Sequence, residues 1–78
     1  MRPADGIVQK LRNQIRPILE MLKSKRSELN DNAWTKQVKE TEQNIINSPG
    51  EYLSEQLQKE ILTSAIQQVF KQFVDESI

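Results

Sequence analysis

Residues 52–75 read YLSEQLQKEILTSAIQQVFKQFVD, a stretch that contains neither Gly nor Pro. Its apolar side chains recur every three or four residues, which is the spacing of neighbouring positions on an α-helix. Just upstream, residues 48–51 (Ser-Pro-Gly-Glu) have the pattern of a capping box, with proline in the first helical turn. We therefore predict a long helix over 49–75.

The first third of the chain has the same spacing and predicts a helix over 6–29. Pro17 falls inside this helix, where it removes a backbone donor. Two interpretations remain open: a kink near residues 13–16, or a second helix start capped by Asn13. We favour the kink because the apolar stripe keeps its phase across the proline. The stripe consists of Val8, Leu11, Ile15, Ile18, Leu22 and Leu29.

Asn30-Asp31-Asn32 interrupts the helical pattern and predicts a turn, with Asn30 in the left-handed conformation and Asp31 or Asn32 as the next N-cap. A second helix is expected over 33–46. Its narrow apolar face contains the only tryptophan of the chain, Trp34, which we place in the core between the first two helices.

These elements predict one all-α domain of 78 residues, a three-helix up-down-up bundle with a long third helix. At 1.5 Å per residue the three helices measure about 35, 21 and 40 Å. The third would therefore extend beyond the first by about 15–20 Å and expose apolar side chains, including Ile78. Alternatively, the loops cover them, or the third helix bends and its end packs on the corner formed by Asn30 and Trp34, or they capture a helix of another protein. The possible homodimer interface comprises Ile66, Val69, Phe70, Phe73 and Val74.

Composition excludes most chemistry. The chain has no Cys and no His, which removes thiolate and imidazole catalysis and nearly all zinc sites, and its two glycines form no phosphate-binding loop. No apolar run is long enough to span a membrane. We predict a non-enzymatic protein without metal or cofactor, and no membrane association. Residues 1–5 contain no apolar region of the kind that secretory signals have, so we expect no such signal and an intracellular location.

Charge is divided between the two halves of the chain. Residues 1–39 hold nine basic and four acidic side chains (net +5), and residues 40–78 hold two and seven (net −5). One interpretation is mutual attraction of front and back helices beside a solvated surface. The basic residues are scattered around the first helix rather than gathered on one face, so direct nucleic-acid binding is not expected. A basic surface beside apolar grooves suits acidic, amphipathic helices.

Two short segments carry a resemblance to known families. Lys39-x-x-Glu42-x-x-Ile45-Ile46, followed by Gly50-Glu51-Tyr52-Leu53-Ser54 and Ile61, resembles the KIX domains of transcriptional coactivators and Mediator tail subunits. This resemblance implies a three-helix bundle, a nuclear location and docking of activation-domain helices between the first and third helices, with Tyr52 lining the groove. Trp34-x-x-Gln37-Val38-Lys39 resembles the small helical subunit shared by histone-modifying coactivator and mRNA-export complexes, which wraps around a partner helix.

We therefore predict a protein-interaction module that docks amphipathic, acidic helices. The alternative is a small structural or regulatory protein that homodimerises through its C-terminal helix. The residues predicted to contact a partner are Lys10, Ile15, Tyr52, Leu57 and Lys59.

Overall fold

A computed structural model describes residues 3–54 and 56–77 of the chain, with side chains from residue 6 onward. The described residues contain no β-strand, so the predicted all-α class is confirmed. They form four α-helices rather than three, together with one 3₁₀ turn. The elements are α1 (Pro3–Gln14), α2 (Arg16–Lys25), α3 (Asp31–Asn47), the 3₁₀ turn (Pro49–Glu51) and α4 (Lys59–Glu76).

The predicted first helix is divided at Ile15, whose backbone (φ −100°, ψ 14°) leaves the regular helical conformation. Pro17 lies in the first turn of α2, where a missing N–H costs no helical hydrogen bond. The interruption falls within the predicted kink region, 13–16. However, the chain restarts as a separate helix at Arg16, and neither Asn13 nor any other side chain caps it. The first half is therefore two helices in sequence.

The turn before α3 differs from the prediction in its cap. Asn30 has an extended backbone (φ −71°, ψ 169°), and its side-chain oxygen accepts a hydrogen bond from the Ala33 N–H at 2.8 Å. Asn30 is therefore the N-cap, in place of Asp31 or Asn32, and α3 starts two residues earlier than expected. In addition, α2 ends at Lys25, so residues 26–29, which were predicted to be helical, form turns and a bend.

The predicted start of the long helix is wrong. Residues 48–51 form only a single 3₁₀ turn without a side-chain cap, and regular helix begins at Lys59. The segment between the 3₁₀ turn and α4 is instead hydrogen-bonded to α1. The Ser54 N–H donates to the side-chain oxygen of Gln14 at 3.1 Å, and the Gln14 amide nitrogen donates to Ser54 Oγ at 3.1 Å. A backbone N–H bonded in this way is not available to continue a helix.

The late start of α4 removes the predicted overhang. Ten residues of helix fewer at its beginning correspond to about 15 Å, close to the length expected to project. The described chain measures 35 × 27 × 18 Å, and one apolar cluster joins all four helices. Every buried side chain among the described residues is apolar. The core consists of Val8, Leu11, Ile15, Leu19, Leu22, Trp34, Val38, Ile45, Leu53, Leu62, Ala65, Ile66, Val69, Phe70 and Phe73.

Candidate functional site

The predicted dimer strip on α4 is not exposed. Ile66, Val69, Phe70 and Phe73 are between 0 and 4 % exposed, and Val74 is half-buried against the core. The prediction that these side chains lack intramolecular cover is therefore wrong, because α4 begins late enough for the rest of the chain to cover them. Ile78, the last member of the predicted strip, lies outside the described residues.

The five residues predicted to contact a partner do not form one surface. Ile15 is 1 % exposed and belongs to the core, so the prediction that it faces a partner is wrong. Lys10 is exposed on α1 and Tyr52 is exposed beside the 3₁₀ turn. Only Leu57 and Lys59 line a common cavity, and they do so with α3 rather than with α1.

The cavity that contains Leu57 is one of two along the seam between α3 and α4. This Leu57 basin has a volume of about 340 Å³, and its apolar lining consists of Ile46, Pro49, Leu57, Leu62 and Ile66. A second cavity, the Trp34 basin, has a volume of about 270 Å³. Its apolar lining consists of Trp34, Val38, Phe70 and Val74.

The two basins lie on the same side of the seam. Along α3 they are lined by Thr35, Lys39, Glu42 and Ile46, at intervals of four, three and four residues, which keeps these positions on one face. Along α4 they are lined by Lys59, Thr63, Gln67 and Lys71, which form one ridge of positions four residues apart. We call the resulting feature, from the Trp34 basin to the Leu57 basin, the α3–α4 furrow.

The order of the lining residues shows that α3 and α4 run antiparallel. Trp34, near the start of α3, packs on Phe73 near the end of α4, with ring centroids 5.9 Å apart. Ile46, near the end of α3, shares the Leu57 basin with Leu62 near the start of α4. Each basin is therefore built by both helices, and its shape depends on their packing.

Three lysines and two carboxylates border the furrow. Lys39 and Lys71 border the Trp34 basin, and Lys59 borders the Leu57 basin. Within the part of the chain that the structure describes, none of the three has a carboxylate at ion-pair distance. Lys59 and Lys71 form no ion pair among the described residues, Lys39 lies near Glu42, and apolar surface lines the same basins.

Two carboxylates also border the Trp34 basin, Glu42 on α3 and Asp75 on α4. Partial burial raises the pKa of Glu42 above its usual value, and the nearby Lys39 opposes this rise. Glu42 lies between Lys39 and Ile46 along α3, on the side of the Trp34 basin nearer the Leu57 basin. A ligand covering this position would remove more water from a carboxylate that is already partly desolvated.

A smaller polar notch of about 150 Å³ lies between α1, α2 and the end of α4. Arg12 donates to Glu76 through both guanidinium nitrogens, one of them at 2.9 Å. These bonds raise the pKa of Arg12 and lower the pKa of Glu76. The carboxylate of Glu76 therefore already pairs with an arginine of the notch, and this ion pair joins α1 to the end of α4.

Further structural tests concern metals and membranes. The described residues contain no group of three or more acidic side chains placed to hold a metal ion. None of the described helices is both long enough and apolar enough to cross a lipid bilayer.

Comparisons of the chain with protein families, with curated proteins and with solved structures gave no match. The KIX resemblance therefore stays a prediction. Of the residues predicted to contact a partner, Leu57 and Lys59 line the furrow. Sequence reasoning did not predict the furrow as a whole or its lysines Lys39 and Lys71. The available signal was the row of positions four residues apart that runs from Lys59 to Lys71.

Proposed function

We propose that this chain is a non-enzymatic protein-interaction module that docks an amphipathic, acidic helix of a partner protein in the α3–α4 furrow. The observation that carries the proposal is the pairing of two apolar basins with three lysines that form no close ion pair among the described residues, on a rim that Glu42 and Asp75 share. Helices commonly bind other proteins by laying an apolar face into such a groove. The positive rim would attract an acidic helix and fix its position.

This site differs from the one that the KIX resemblance implies, since it lies between the last two helices rather than between the first and the third. The kind of occupant is the same in both cases. An intracellular and, if the resemblance holds, nuclear location belongs to the same proposal. Homodimerisation through the C-terminal helix loses its basis because the apolar side chains that it needs are buried.

The proposal is tested with a helical peptide of about 18 residues, about 27 Å long, that has leucines on one face and glutamates beside them. Binding is measured by isothermal titration calorimetry. Trp34, which lines one basin and is the only tryptophan, supplies an independent fluorescence signal. A peptide of the same composition in scrambled order, without an apolar face, is the negative control.

Reversal of rim charge should weaken this binding. We expect Lys39→Glu and Lys71→Glu each to reduce affinity about tenfold and to reduce its dependence on salt. Lys36→Glu is the matched control, since Lys36 is exposed on the same helix but lines neither basin. Failure of the amphipathic peptide to bind, or equal loss with all three variants, would contradict the proposal. A dimer in sedimentation that Lys39→Glu and Lys71→Glu dissociate would place a second copy of the chain in the furrow and would also overturn it.

A further inference from the structure

The residues before α4 have a conformation that their sequence does not favour. Residues 49–75 have the apolar spacing and the capping pattern of one helix, yet the described residues from 52 to 58 contain no regular helix. We call residues 52–54 and 56–58 the pre-α4 segment. It contains leucine and glutamine, which are good helix formers, and neither Gly nor Pro. Such a conflict between local preference and tertiary structure is expected at strained or functional sites.

Contacts with the rest of the chain favour the extended form of this segment. The Ser54 N–H donates to the Gln14 side chain, and the Gln14 amide donates to Ser54 Oγ, both at 3.1 Å. Leu53 is 6 % exposed and belongs to the core. In a continuous helix the Ser54 N–H would donate to the Gly50 carbonyl instead, so its bond to Gln14 would have to break.

The helical form has favourable interactions of its own. Gln58 is the N-cap residue of α4 and makes no side-chain capping bond. Continuation of α4 back to Pro49 would supply backbone acceptors for the first N–H groups of the present helix. It would also allow the capping box of Ser48 and Glu51 to form, since Ser48 makes no side-chain cap at the 3₁₀ turn. Each form therefore has interactions that the other lacks.

We infer that the pre-α4 segment is a two-state element, extended and bonded to Gln14 in the main form and helical, as a continuation of α4, in a less populated form. Leu57 changes its position between the two. In the extended form it lines the Leu57 basin. In the helical form it would lie one turn before Ile61, which is 47 % exposed and lines neither basin. The Leu57 basin is therefore complete only in the extended form.

Proline at position 58 distinguishes the two forms. Gln58 has φ −57° and ψ 143°, backbone angles that proline adopts readily, so Gln58→Pro fits the extended form. In the helical form the ring would clash with the Ser54 carbonyl and would disfavour helical angles at Leu57. Gln58→Ala is the matched control, because it removes the same side chain and permits the helix.

The test is NMR relaxation dispersion, which detects minor states that exchange within microseconds to milliseconds. We expect the pre-α4 segment of the unmodified chain to exchange with a minor state that has helical Cα chemical shifts. Gln14→Ala should raise the population of this state about tenfold, because two hydrogen bonds of the extended form are lost. Ser54→Ala removes only one of them and should raise the population less. Gln9→Ala, at an exposed position of α1, should leave it unchanged.

The proline variant completes the test of the two-state element. Gln58→Pro should abolish the exchange, and Gln58→Ala should retain it. Absence of exchange in the unmodified chain and in Ser54→Ala, or a minor state with random-coil shifts, would overturn the inference. Helical exchange that persists in Gln58→Pro would overturn it as well. If Gln14→Ala does not fold, the comparison of Ser54→Ala with Gln58→Pro decides.

The consequence for the furrow rests on the proposed docking function. A ligand that needs the complete Leu57 basin binds only the extended form, so saturation with the amphipathic, acidic peptide should suppress the helical minor state. Peptide binding that leaves the exchange unchanged would overturn this coupling and leave the docking function standing. A peptide that does not bind would overturn the docking function. In both cases the exchange measured without peptide decides the two-state inference.

Discussion

Trp34 and Phe73 pack ring against ring, with centroids 5.9 Å apart and ring planes inclined by 39°. The indole N–H of Trp34 donates to the backbone oxygen of Leu22 at 2.7 Å, and the guanidinium of Arg26 lies 4.7 Å from the centre of the indole ring. One side chain of α3 thus binds both α2 and α4. The core placement predicted for Trp34 is confirmed, and the same ring forms part of the furrow.

Removal of this ring should be among the most damaging single changes in the chain. We expect Trp34→Ala to lower the free energy of unfolding by about 3–5 kcal/mol, a large part of the stability of so small a protein. Trp34→Phe keeps most of the packing and loses the hydrogen bond to Leu22, so it should cost less. Urea unfolding followed by circular dichroism measures both. Free quenching of the native Trp34 fluorescence by iodide would contradict the core placement.

The Gln14 side chain should hold the segment before α4 in place. Gln14→Ala removes two hydrogen bonds to Ser54, and we expect it to cost about 1–2 kcal/mol of unfolding free energy. Amide hydrogen exchange at Ser54 should become faster, since its N–H loses its acceptor. Gln9→Ala, at an exposed position of the same helix, is the control. Unchanged exchange at Ser54 would show that Gln14 does not fix this segment.

Phe70 distinguishes a buried core from an exposed dimer strip. The ring is 2 % exposed, so Phe70→Asp places a carboxylate in an apolar interior with no partner. We expect loss of the cooperative unfolding transition and of most helicity. Gln67→Asp, one turn away and exposed, should leave both nearly unchanged. If the unmodified chain is a dimer and the Phe70→Asp variant is a folded monomer, the result would instead support the predicted dimer interface on the C-terminal helix.

Glu42 should destabilise the folded chain at neutral pH, because burial penalises its ionised form and raises its pKa. The folded state then binds a proton more tightly than the unfolded state does. The penalty is therefore present above the raised pKa and disappears as the pH falls through it. We expect Glu42→Gln to raise the free energy of unfolding at pH 7 and to have little effect in acid. An effect of the opposite sign in chemical denaturation would refute this reasoning.

The ion pair between Arg12 and Glu76 should change the stability of the folded chain with pH in the opposite direction. Hydrogen bonding to Arg12 lowers the pKa of Glu76, so its stabilising effect is present above the ordinary glutamate pKa. This effect is lost as the pH falls through the lowered value. A carboxyl titration by NMR should give Glu76 a pKa below the usual range, and Arg12→Gln should return it towards normal. Arg16→Gln changes an exposed arginine that borders the same notch, and should shift this pKa less.

Local sequence patterns predicted the helical class and the buried stripe in the first half of the chain, but not the burial of Phe70 and Phe73. The stripe that includes Val8, Leu11 and Leu22 is buried as expected, because three- and four-residue spacing fixes one face of a helix whatever the later packing. The interruption near Pro17 was also predictable from the missing backbone donor. Of the predicted contact residues, only Leu57 and Lys59 share a cavity, since the others were chosen without knowledge of which helices meet.

The sequence by itself determined that the chain is helical, where its apolar faces run and that Trp34 is a core residue. Only the tertiary structure shows where α4 begins and that a glutamine forty positions away hydrogen-bonds the Ser54 backbone, because local patterns do not report contacts between distant segments. With α4 beginning at Lys59, Phe70 and Phe73 lie within the shared core and are buried. The furrow depends on the same packing. It needs side chains of two antiparallel helices in register, and local periodicity describes only one helix at a time.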